Sequence, residues 1–341
     1  MAVKGAYWPS WVSDFRGIDS GLFTHIYYAF VLPDHTFKLD LSGSRLEGFT
    51  SAVRPAKAIL SVGGERADPK RFSDMVSNIS SRKNFIDSSI EVARAFGFDG
   101  VDLDWEFPQN HDVENLGYLL REWRAAVERE ARDKGRIPLL LTAAVPFSAN
   151  SNWPFPVDSM KQNLDWINAM CYNYRGSWDN VTGAHAALFD PINKSEYTTD
   201  MGLQSWIRAG IPRSKLVMGL PLYGRTWTLE NPTSHGIGAP ARGIRPGDGG
   251  TMTYAEIVRF NRQHNVGEIY DQDTVSAYSY AGTTWIGYDN VRSTTTKIQY
   301  AQRLGLRGYF FWQIAGDHEG TISRAGEKSL LFSQSARSVI L

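Results

Sequence analysis

Eight short, almost wholly apolar runs, separated by stretches with helical spacing, constrain this chain more than any other feature. They are "VKGAYW" (3–8), "THIYYAFV" (24–31), "KAILSVGG" (57–64), "FDGVDLDW" (98–105), "IPLLLTAAV" (137–145), "LDWINAMCYNY" (164–174), "KLVMGLPLYG" (215–224) and "LRGYFFWQI" (306–314). A strand that is apolar on both faces is buried on both, which is the mark of a parallel sheet. Between the runs, apolar spacing predicts a helix over 80–96 stopped by Gly97. It also predicts one over 112–135 from an Asp112 cap to Gly135, and one over 293–305. Eight βα units in 341 residues predict an α/β fold, a closed (β/α)8 TIM barrel. An open doubly wound sheet is the alternative, and the lack of a GxGxxG after the first run weakens its dinucleotide-binding form.

The rhythm breaks between the seventh and eighth runs. The text there holds turn-rich "ENPTSHGIGAPARGIRPGDGG", a helical "TYAEIVRFNRQH", and strand-like "SAYSYA" and "TTWIGYD". A structureless loop of that length is improbable in a compact domain. Residues 226–290 are therefore expected to form a small α+β insertion, with 1–225 and 291–341 making the barrel. Placed after strand 7, the insertion is expected to form one wall of a cleft at the mouth.

Charge narrows the partners. Lys+Arg and Asp+Glu number 36 each, so nucleic acid and anionic membrane surfaces are not expected partners. Eleven tryptophans and 13% aromatics favour a stacking surface for sugars. Cys171 stands alone, which excludes an internal disulfide. No run of 18 apolar residues suggests a membrane span. The opening "MAVKGAYWPS" enters the first run with no signal-type stretch.

The fourth run poses the chemical question, because "FDGVDLDWEFP" puts four carboxylates in a strand that reads as core. Alternation gives Asp102, Asp104 and Glu106 one face, and Val101, Leu103 and Trp105 the other. The acidic row points into the barrel toward its C-terminal mouth, where the active sites of such barrels lie. A solvated surface row is inconsistent with the apolar setting. A metal site is inconsistent with the reach. Asp102 and Glu106 are about 13 Å apart along a strand, whereas one cation needs its oxygens within roughly 2.0–2.6 Å. No metal is therefore expected. A proton relay fits: carboxylates crowded in low dielectric cannot all ionise, so Glu106 would hold a proton and deliver it to a leaving group.

At these residues the spacing Asp99-x-x-Asp102-x-Asp104-x-Glu106 resembles the DxxDxDxE signature of family 18 glycoside hydrolases, the chitinase family. Further matches run along nearly the whole chain. "SVGG" (61–64) looks like the family's SxGG, and "MCYN" (170–173) is similar to its Met-x-Tyr-Asp. "GLPLYGR" (219–225) and Trp312 also match, and "FFWQIAGD" looks most like the plant class V branch.

The resemblance implies retaining, substrate-assisted hydrolysis of β-1,4-linked N-acetylglucosamine chains, with transglycosylation open. Glu106 would protonate the glycosidic oxygen and then activate water. Asp104 would orient the sugar's acetamido group, and Asp102 would hold Asp104. Tyr172 would bond the acetamido carbonyl and Trp312 would floor the sugar. Tyr7, Phe30 and Met170 would line the pocket, and Arg225 would bind nearby hydroxyls. Read without the resemblance, Trp312, Phe30 and Met170 are as well placed in barrel core. Asn173 stands where the family often has Asp, and can still hydrogen-bond a sugar. Trp153, Trp178, Trp227 and Trp285 are stacking candidates, while "GGERADP" (63–69) reads as a plain turn or a cleft contact.

No cofactor is implied. The expected partner is chitin or a chitooligosaccharide, with no nucleic acid or membrane and no second copy of the chain. The resemblance places the protein outside the cell or in the vacuole, in plant defence. Two alternatives stay open: a chitooligosaccharide-binding lectin, and a hydrolase of lipo-chitooligosaccharides or N-glycan chitobiose cores.

Overall fold

The computed structural model describes residues 1–12, 14–191, 195–242 and 249–337. Each apolar run forms one barrel strand: β1 Val3–Pro9, β2 His25–Pro33, β3 Lys57–Gly63, β4 Gly100–Asp104, β5 Leu140–Pro146, β6 Trp166–Met170, β7 Leu216–Pro221 and β8 Gly308–Trp312. Every neighbour pairing is parallel, and β1 pairs with both β2 and β8, so the eight strands close into a (β/α)8 barrel. Residues Leu39–Asp40 add a short antiparallel strand outside β2.

The expected helices form at Ile79–Ala95, Val113–Lys134 and Val291–Leu304. Gly135 and Gly305 end the last two in left-handed conformations that glycine adopts without steric cost. Asp112 does not cap. It closes a 3-10 turn, Asn110–Asp112, and its carboxylate accepts from the Gln109 N–H at 2.8 Å and from Ser73 Oγ at 2.5 Å. With those donors bound, its side chain pins the loop after β4 to the helix Pro69–Val76.

The outer face of β4 is core. Val101, Leu103 and Trp105 are all buried, and Trp105 stacks on Phe72 of that helix with ring centroids 5.7 Å apart. Such burial contributes about 1.5–3 kcal/mol for each large side chain.

The insertion starts at Tyr223, three residues earlier than expected. Strands Tyr223–Leu229, Thr284–Tyr288, Ser276–Ala281 and Ile269–Asp271 pair antiparallel in that order, with Ala241–Arg242 and Thr251–Thr253 added on Tyr223–Leu229. Helix Tyr254–His264 opens with a reciprocal Thr253–Glu256 capping box. Trp227 and Trp285, candidates for sugar stacking, are instead fully buried. Their rings meet edge to face at 5.2 Å and form the core of this sheet. A sheet this small needs large side chains on its inner face, and these two supply them.

Candidate active site

At the deep end of the acidic row, Asp102 is fully buried and its register explains its partners. Ser61 on β3 and Thr142 on β5 stand directly beside it. Their hydroxyls donate to its two oxygens at 2.7 and 2.5 Å. Tyr7 donates to it at 2.9 Å, and Asn168 Nδ2 reaches it at 3.4 Å while also donating to Tyr7 at 3.0 Å. Burial raises the Asp102 pKa, and these four donors pull it back.

Asp104 is 4% exposed, and its Oδ1 is buried without a hydrogen-bond partner. Burial, then the Glu106 charge, then Asp102, push its pKa well above the usual carboxylate range. No hydrogen bond joins it to Asp102 among the described residues. Glu106 lies two residues past the end of β4, half-buried at the mouth. Burial first, and the charge of Glu65 second, raise its pKa to about 7. A glutamic acid that keeps its proton near neutral pH is suited to general-acid work.

Above the row lies a cavity of about 810 Å³. Of the residues expected in the site, Glu106, Asp104, Tyr172, Trp312, Met170, Asn173, Tyr7 and Phe30 line it. Trp312 stacks on Phe30 at 5.6 Å and meets Tyr7 edge-on at the same separation. The three form an aromatic cluster in the lining, beside Asp104 and Glu106. Asp102 sits below the lining. Arg225 also lies outside it: its Nε and Nη2 donate to Asn173 Oδ1 at 3.1 and 2.8 Å, and Tyr223 donates to the same oxygen at 2.6 Å. Three donors on one oxygen hold Asn173 in a left-handed backbone conformation at φ 64°.

Trp153 and Trp178 line the cavity, and Trp153 stacks on Phe107 at 4.3 Å. No described residue of 226–290 belongs to the lining; the insertion meets the site through Tyr223 and Arg225. Sequence reasoning missed Trp11, Phe147, Tyr174 and Tyr197, all of them in the lining. Trp11 lies three residues past the end of the first run and is 64% exposed, and that position was the available signal. It also missed the hydroxyl pair on Asp102, which appears only once strand register is known. Among the described residues, no group of three or more His, Cys, Asp or Glu is arranged to hold a metal ion.

Together these define a closed parallel barrel with a row of carboxylates at an aromatic cleft. The sequence pattern of the glycosyl hydrolases family 18 matches residues 4–317. The class V chitinase CHIT5 of Lotus japonicus is 45% identical over 94% of this chain and 84% of its own length. The Nod factor hydrolase protein 1 of Medicago truncatula is 45% identical over 92% and 86%. A class V chitinase from Nicotiana tobaccum, solved in complex with NAG4, superposes with a TM-score of 0.92 at 41% identity, covering 96% of this chain and 99% of its own. The chain belongs to glycosyl hydrolases family 18 and is a glycoside hydrolase of the chitinase type.

Proposed function

We propose that this enzyme cleaves β-1,4-linked N-acetylglucosamine chains with retention at the anomeric carbon, the substrate's own acetamido oxygen acting as nucleophile. Glu106 donates its proton to the glycosidic oxygen as the bond breaks, then takes one from the attacking water. Asp104, whose Oδ1 has no protein partner, accepts from the acetamido N–H and stabilises the positive ring that forms. Asp102 stays fixed by its four donors and supplies charge behind Asp104. Tyr172 bonds the acetamido oxygen, while Trp312, Phe30, Tyr7 and Met170 hold the sugar's apolar face. Asn173, pinned by Arg225 and Tyr223, presents its amide to the hydroxyls. The observation that carries this reading is Glu106, raised to about 7 at the mouth of an aromatic cleft, with an unpartnered carboxyl behind it.

Proton NMR of the first products from chitin hexamer tests it. The β-anomer at the new reducing end is expected; initial α-anomer would overturn retention. A second reading, cleavage of lipo-chitooligosaccharides, is supported by the exposed Tyr197 beside Phe147 at 5.9 Å, an apolar extension of the cleft, and by the Medicago relative. Turnover of a lipid-bearing oligomer well above that of the bare hexamer favours it. Likeness to plant class V chitinases also supports an extracellular or vacuolar place, action as a monomer and a part in defence. Fractionating the source tissue and sizing the purified protein check these.

A further inference from the structure

Of the carboxylates lining the cleft, Glu65 and Asp179 have no part in the reaction as drawn. Glu65 lies in the turn after β3, exposed and lining the same cavity as Glu106. The turn is built to put it there. Gly63 and Gly64 have φ of +124° and +92°, and the Gly64 N–H donates to the Asp104 carbonyl at 2.8 Å. A Cβ on Gly63 would stand 1.9 Å from that carbonyl oxygen, and one on Gly64 would stand 2.4 Å from the Phe30 ring. Only glycines let the turn pack this closely, so the residue that follows is carried to the rim beside the acid.

Charge is the second observation. Asp179 is matched by Arg175 at 3.4 Å, whereas Glu65 has no ion-pair partner among the described residues. Arg66 follows it in the lining, also without one. Glu65 shares the lining with Glu106, and its charge, after burial, raises the Glu106 pKa. Below it, Asp104 presents a buried, unpartnered oxygen to the same cavity. Glu65 therefore offers the cavity an exposed carboxylate with no ion-pair partner among the described residues.

We propose that Glu65 selects a cationic sugar: it receives the 2-ammonium of a glucosamine unit next to the cleaved bond, making partially deacetylated chitin a preferred substrate. The inference rests on the chitinase reading above. The sugar that attacks itself must carry the acetyl group, so the ammonium belongs to a neighbouring unit. A carboxylate at the rim can take that ammonium, while a fully acetylated neighbour offers it only an amide N–H or hydroxyls.

The test compares kcat/KM on partially deacetylated and on fully acetylated chitin oligomers below neutral pH, where the amines are charged. For Glu65→Gln the ratio should fall about fivefold against the parent, the range of a solvent-accessible charge pair. Glu65→Lys should lower it further. Added salt should lower the ratio in the parent and leave Glu65→Gln unmoved. Sequencing the product ends should show glucosamine beside the cut in the parent and lose that bias in the variant. Turnover of both substrates with an unchanged ratio and unchanged ends overturns the role of Glu65 alone. Turnover of neither by the parent overturns the chitinase reading together with it.

Discussion

The buried carboxylates at the end of the insertion and on the fourth barrel strand are treated in opposite ways. Where the insertion rejoins the barrel, Asp289 and Lys297 are both nearly inaccessible, and the ammonium lies 2.6 Å from each carboxylate oxygen. The same ammonium donates to the Ala186 carbonyl at 2.6 Å, and Ser293 Oγ adds a donor to Asp289 at 2.8 Å. Every charge there is met, and the cluster ties the end of the insertion to the loop after β6. On β4, no ion-pair partner is placed against Asp102, Asp104 or Glu106 among the described residues. Asp102 is answered by neutral hydroxyls, Asp104 by nothing at Oδ1, and Glu106 only by further negative charge. A matched cation lets a buried carboxylate hold structure; without one, burial raises the pKa, as at Asp104 and Glu106, while at Asp102 four donors pull it back. The contrast separates a strut from the row proposed to carry the reaction.

The contrast can be broken at either end. On the β4 side, Glu106→Gln keeps shape and hydrogen bonding but cannot release a proton. Turnover of chitin hexamer should fall about a thousandfold with oligomer binding retained, read by initial rates and calorimetry. Unchanged hydrolysis would remove Glu106 from the mechanism. At the strut, Lys297→Met leaves Asp289 buried without its cation and should lower stability by about 3–5 kcal/mol. Rates measured well below the unfolding temperature should stay near those of the parent. A variant that unfolds like the parent would mean that the pair is not the strut described.

The smallest effect sharpens the comparison through pH. Glu106 has a folded pKa above its unfolded value, so the folded state binds the extra proton between the ordinary glutamate range and about 7. Stability must then fall as pH rises through that window. Glu106→Gln should therefore unfold at a higher temperature than the parent at pH 8, with the gap closing toward pH 4. A gap that does not depend on pH contradicts the assigned protonation.

Much of this was legible in the sequence, for identifiable reasons. Strands buried on both faces leave continuous apolar text, so all eight barrel strands could be read, and alternation placed Asp102, Asp104 and Glu106 on one face. Gly135 and Gly305 marked helix ends because the left-handed conformation favours them. Other features depend on contacts between distant residues. Nothing local separates Trp153 and Trp178, which line the cleft, from Trp227 and Trp285, which fill the core of the insertion. Asp112 looked like a cap, but Ser73 and the Gln109 N–H had claimed its oxygens. Glu65 stood in a stretch that read as a plain turn or a cleft contact, because its place is set by how closely two glycines approach Asp104 and Phe30. Arg225 stood in the right motif, yet only the folded chain shows that it holds Asn173.

The account stands on the proton held by Glu106. Carbon-13 NMR of the side-chain carboxyls, with Glu106→Gln to assign the resonance, measures that proton directly across a pH titration. An apparent pKa of about 7 for the Glu106 carboxyl is the expected result; titration in the ordinary glutamate range would contradict the account.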